Sequence, residues 1–129
     1  MNPRELAKYY AGGRIGIGVL FFLFPRRLAK GLWGDVSADS PAVKFLSRIV
    51  GVRDVILGAG AIAALQQEAD GAKGLARPWM TYGAVADAGD AVATLLAYKH
   101  LPRRKRFGLL VMAASGAATG GYLTTTLDD

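Results

Sequence analysis

The chain has 129 residues, no cysteine, one histidine and a net charge of +6. That length fits a single domain, and the missing thiols exclude disulfides, thiolate nucleophiles, iron–sulfur ligation and cysteine zinc sites. Hydrophobic residues make up 52% although 20% are charged, and mean hydropathy is +0.25, so charge and apolar residues must be segregated into blocks, as in membrane proteins.

The first block runs from Leu6 to Phe24 and is apolar except for Lys8 and Arg14. About 19 helical residues reach ~28 Å, close to a hydrocarbon core. It ends in Pro25-Arg26-Arg27 with no small-residue cleavage site behind it, which favours a retained first span over a signal peptide. Gly12, Gly13, Gly16 and Gly18 suit close helix approach in a membrane. The stretch from Pro25 to Ser40 follows. There Leu28, Leu32 and Trp33 share a helical face opposite Arg26, Arg27 and Lys30, predicting a short interfacial helix with Trp33 at the headgroups.

Ser40–Pro41 reads as an N-cap and first helical position, opening a second helix to about Gln67 whose apolar part is 45–65. A polar, glycine-containing loop leads to Pro78, which opens a third, alanine-rich segment over 78–98. This is the weakest span by hydropathy, because it contains Asp87 and Asp90. The basic run Lys99–Arg106 precedes a fourth segment, 107–126, with a Gly116-xxx-Gly120 spacing that suits helix packing. Tyr9, Tyr10, Trp79, Tyr82, Tyr98 and Tyr122 fall mostly near span ends, as in an aromatic belt. His100 adjoins the basic loop and is expected to be exposed.

The expected fold is all-α, an integral membrane bundle of four transmembrane helices (6–24, 45–65, 78–98 and 107–126) in one domain spanning 1–129. Loops 25–44 and 99–106, with Arg48, carry ten Lys or Arg. The other side carries four: Arg4, Lys8, Lys73 and Arg77. The positive-inside rule then places those loops in the cytoplasm and both termini outside, in a bacterial plasma membrane. The juxtamembrane position of the basic run also argues against nucleic acid, since no basic stripe with interleaved aromatics accompanies it.

Arg53 and Asp54 stand side by side within the apolar stretch RIVGVRDVILGAG. Together with Arg14, Asp87 and Asp90 they lie within three residues of their spans' midpoints, ~5 Å of depth. Isolated charges there would cost several kcal/mol each, so they should face inward and pair. Asp87 and Asp90 share a face at i, i+3. Asp54 shares one with Gly51, Gly58 and Ala61, where another helix can approach. Two arginines against three acids leave one carboxylate without a cation, and repulsion and burial favour its neutral form.

Arg14, the Trp33–Gly34 loop, RIVGVRDVILGAG and the Asp87/Asp90 span together resemble the DoxX-like superfamily of small four-helix membrane proteins, especially its uncharacterised bacterial and fungal branch. The resemblance covers nearly the whole chain, and its most specific part is G-x-R-D-x-x-L-G, Gly51 to Gly58. It implies a four-helix membrane bundle. Some superfamily members are membrane subunits of redox complexes that deliver electrons to quinone. This chain, with one His and three Met, offers no haem ligand pair, and no cofactor or metal is expected.

Three functions remain open at this point. In the first, the Arg14/Arg53/Asp54/Asp87/Asp90 cluster binds a lipophilic ligand or a partner subunit. In the second, a membrane-embedded acid/base enzyme (isomerase, cyclase or epoxide-opening hydrolase) uses Asp87, Asp90 and Arg53 on a lipophilic substrate. The third is a proton-coupled transporter acting as a homodimer. A purely structural cluster is the alternative to all of them. A cavity touching Asp87, Asp90 and Arg53 would favour a ligand or substrate, whereas a closed core with every charge paired would favour structure alone.

Overall fold

The computed structural model describes residues 1–34 and 39–127, apart from the side chain of Trp33; the expected headgroup position of Trp33 lies outside the described residues. Among the described residues five α-helices follow one another: α1 (Pro3–Leu23), α2 (Pro25–Trp33), α3 (Pro41–Ala69), α4 (Ala76–Leu96) and α5 (Arg103–Thr126), with a 3₁₀ turn at Tyr98–His100. The described residues are all-helical, without strands.

Local chemistry sets the boundaries. The Asn2 side chain accepts from the Arg4 amide at 2.8 Å while Glu5 accepts from the Asn2 amide at 3.3 Å, a reciprocal capping box ahead of Pro3. Pro25 stops α1 and starts α2, because it disfavours helical geometry in the residue before it. Gly34 ends α2 with φ of 94°, a conformation that costs a side chain with Cβ. Ser40 occupies the cap position of α3 and Pro41 the next, but the Ser40 hydroxyl caps no amide.

Two boundaries differ from the sequence expectation. Helix α4 begins two residues before Pro78, which sits in the first turn, where a missing N–H removes no intrahelical bond. Helix α5 begins at Arg103 and takes Arg103–Arg106 into its first turn, so half of the expected basic loop is helix.

The helices pack chiefly as two pairs, α1 with α3 and α4 with α5, while α3 meets α4 over a shorter stretch. Glycines set the first pairing. A Cβ on Gly51 would lie 2.5 Å from the Gly18 carbonyl oxygen, and one on Gly58 2.5 Å from that of Ala11. The backbones therefore touch along an antiparallel seam. In the second pair Gly116 lies against Asp87 and Gly120 against Ala84, again antiparallel.

The apolar core gathers at the end holding the 70–75 loop, where Ala7, Ala11, Ala61, Leu65, Met80 and Leu123 close together. Beyond Gly83 α4 has no buried residue, and α5 has none before Gly120. The interior thus thins toward the basic end, where Phe45, Leu46, Leu96 and Phe107 are exposed.

Helices α3 and α5 are long and apolar enough to cross a membrane. Helices α1 and α4 do not reach the same measure, since Lys8 and Arg14 dilute one and Asp87 and Asp90 the other.

Candidate functional site: an alternating chain of charges

Arg14 lies mid-way along α1 and its side chain is 8% exposed. One guanidinium nitrogen donates to Asp54 Oδ1 of α3 at 2.8 Å. The other donates to the Gly83 carbonyl of α4 at 2.9 Å and to the Tyr10 hydroxyl at 3.0 Å, and is ion-paired with Asp87. Arg14 Nε has no partner among the described residues.

Arg53 makes a two-pronged contact with Asp90 of α4, at 3.0 and 2.8 Å. Its Nε and second terminal nitrogen also reach Asp54 Oδ1, each at 3.3 Å. A planar fork facing a carboxylate is the strongest geometry available to such a pair.

The five sequence-derived residues therefore form one linear series, Asp87–Arg14–Asp54–Arg53–Asp90, in which sign alternates. This corrects the expectation that one acid lacks a cation. Each acid touches an arginine, Asp54 touches both, and three acids to two cations is the natural count for an alternating chain with acids at its ends.

The two ends differ. At Asp87 the Tyr10 hydroxyl lies 2.9 Å from Oδ2 and 3.2 Å from the Gly116 carbonyl, and the absence of a side chain at Gly116 makes room for the carboxylate. Asp87 is 15% exposed and Arg14 8%. At the other end Asp90 is 45% exposed and Arg53 31%. One end is sealed and the other reaches the surface of the fold.

Tyr10 was not legible as part of this group, because its position near a span end also fits an aromatic belt. The available signal was its place four residues before Arg14, on the same helical face. Glu68, past the expected helix end at about Gln67 and so within the polar loop of the sequence reading, is instead a buried residue of α3: it accepts from the Ala76 amide at 2.8 Å, so capping α4, and lies 3.4 Å from Arg4. Its signal was the stripe Asp54, Gly58, Ala61, Leu65, Glu68 along α3. Among the described residues no three His, Asp or Glu side chains converge as a metal site requires.

Two apolar grooves lie away from the chain of charges. One, of about 310 Å³, is walled by α1 and α3 between Val19 and Ile56. The other, of about 470 Å³, lies between α3 and the turn at His100–Pro102. No protein-family model matches the chain, and neither a curated protein nor a solved structure matches it.

Proposed function

We propose that the chain is a small integral membrane protein that holds an uncharged lipophilic molecule at the open end of its charge series. Helices α1, α3, α4 and α5 each cross the bilayer, as the DoxX-like resemblance also suggests; α2 lies along the interface, and the Lys/Arg balance turns loops 25–44 and 99–106 to the cytoplasm. Support for the bilayer comes from α3 and α5, whose apolar windows are only 33% and 17% buried. A soluble core helix of that hydropathy would be mostly covered.

The observation that carries the ligand reading is the exposure of Asp90 at 45% and Arg53 at 31%, at the depth where the other charges are sealed. Neither groove reaches this pair and its charges already meet each other, so the reading rests on its open face alone, where a polar group would replace hydrocarbon against the charges. Arg53 can donate and Asp90 can accept, so a hydroxyl or carbonyl on an apolar body satisfies both. The series carries one more acid than base, which disfavours an anionic ligand. The sealed state of Asp87 leaves the acid/base enzyme reading without a second accessible acid.

Organic extraction of protein purified from its native membrane, followed by mass spectrometry, tests this. Wild type is expected to retain a neutral lipophilic compound at near one per chain, and Asp90→Asn to lose most of it while staying folded. Retention undiminished by Asp90→Asn, or no compound in either, contradicts the reading.

A further inference from the structure

A second feature lies at the basic end of the fold and is separate from the charge series. The groove of about 470 Å³ is walled by α3 from Val43 to Val50 and by the turn His100–Pro102. Its lining is almost wholly apolar, and its volume is in the range of small-ligand pockets. The turn is held in place: Arg106 donates to the Leu101 carbonyl at 2.8 Å and the Lys99 carbonyl at 3.1 Å, and stacks over the Tyr98 ring at 5.1 Å. The wall therefore exists before anything binds.

Basic residues flank that lining in every segment that supplies it. Lys44 follows Val43, Arg48 stands between Leu46 and Ile49, Lys99 precedes His100, and Arg103 and Arg104 follow Pro102. Among the described residues 24–50 and 91–127 the only acid is Asp39, already 2.7 Å from Arg26 and 3.9 Å from Lys44. Lys99, Arg103 and Arg104, next in sequence to the lining residues His100 and Pro102, are exposed. An apolar slot flanked by cations, with the nearby Asp39 taken up by Arg26, complements a molecule with an apolar tail and an anionic head.

We propose that this groove binds one anionic phospholipid, an acyl chain lying between Val43–Val50 and Leu101 and the phosphodiester meeting Lys99, Arg103 and Arg104. Basic residues at a cytoplasmic membrane edge favour acidic lipids. The groove converts that general attraction into a site with a fixed chain position. The inference rests on the bilayer reading above but not on the ligand at Asp90.

The test uses the full chain in neutral detergent, with thermal unfolding followed during titration by dioleoylphosphatidylglycerol or dioleoylphosphatidylcholine. The phosphatidylglycerol is expected to raise the midpoint saturably, near one lipid per chain, and the phosphatidylcholine to leave it unchanged. Arg103→Gln with Arg104→Gln should weaken the phosphatidylglycerol effect about tenfold or more. Leu46→Trp, which fills the groove and keeps every charge, should abolish saturation. Equal response to the two lipids overturns the proposal, as does an unchanged response in Leu46→Trp, which would mean surface attraction alone. Inorganic phosphate reproducing the shift would assign the site to a free anion and also overturn it. Failure of the bilayer reading shows separately, as protein that stays in the aqueous fraction without detergent.

Discussion

Arg14 touches Asp54 with one nitrogen and Asp87 with the other inside the fold, so losing its charge leaves Asp87 without a cation and Asp54 with Arg53 alone. Removing one partner of a buried ion pair costs about 3–5 kcal/mol. Arg14→Gln is therefore expected to be recovered poorly or to unfold at much lower denaturant. Tyr10→Phe, which removes one hydroxyl from a group that keeps its arginine, should cost only about 1 kcal/mol. Equilibrium unfolding of the two variants beside wild type checks the order. The five charged residues were legible in the sequence because charge inside an apolar run is conspicuous and depth matching groups it. Which acid meets which arginine was not, since counting charges cannot show that one carboxylate oxygen accepts from both arginines. Tyr10 was hidden because a tyrosine at a span end serves a belt equally well.

At the scale of the helices, the seam between α1 and α3 depends on the absence of side chains at Gly18, Gly51 and Gly58. A Cβ on Gly51 would fall 2.5 Å from the Gly18 oxygen and 2.9 Å from the Phe22 nitrogen. Both are backbone atoms, which cannot turn aside as a side-chain end could. Gly12 has open space around its Cβ position. Gly51→Leu is thus expected to part the helices and cost several kcal/mol, while Gly12→Leu is tolerated within about 1 kcal/mol; thermal unfolding of the pair distinguishes them. The face Gly51–Asp54–Gly58–Ala61 could be read from sequence by its periodicity. Which glycines of α1 meet it could not, because Gly12, Gly13, Gly16 and Gly18 share one run and only Gly18 points at α3. Element ends followed proline and glycine closely at α1 and α2. They slipped at α4, where Pro78 fits a first turn as well as it fits a start, and at α5, whose basic first turn looked like a loop.

Across the whole molecule, two glycine-zipped or tightly packed helix pairs meet through few backbone contacts, and much of what crosses between them is polar. Arg14 to Asp87 and Gly83, Tyr10 to Asp87 and Gly116, and Arg53 to Asp90 all run from the first pair to the second. The residues that join the pairs are also those that lower the hydropathy of α1 and α4, which is why apolar length alone singles out α3 and α5. An all-helical chain was legible from block structure. The division into two pairs was not, since all four long helices carry similar small and apolar residues. The central claim is that this chain of charges is structural at its sealed end and available at its open one. Equilibrium unfolding of Asp87→Asn and Asp90→Asn, in the same detergent and beside wild type, tests that difference directly. Asp87→Asn is expected to lose about 2 kcal/mol or more, because Arg14 is left buried with a weaker partner. Asp90→Asn should lose less than that, because Arg53 keeps its two 3.3 Å contacts with Asp54. Equal losses in the two variants, or the larger loss at Asp90, would contradict it.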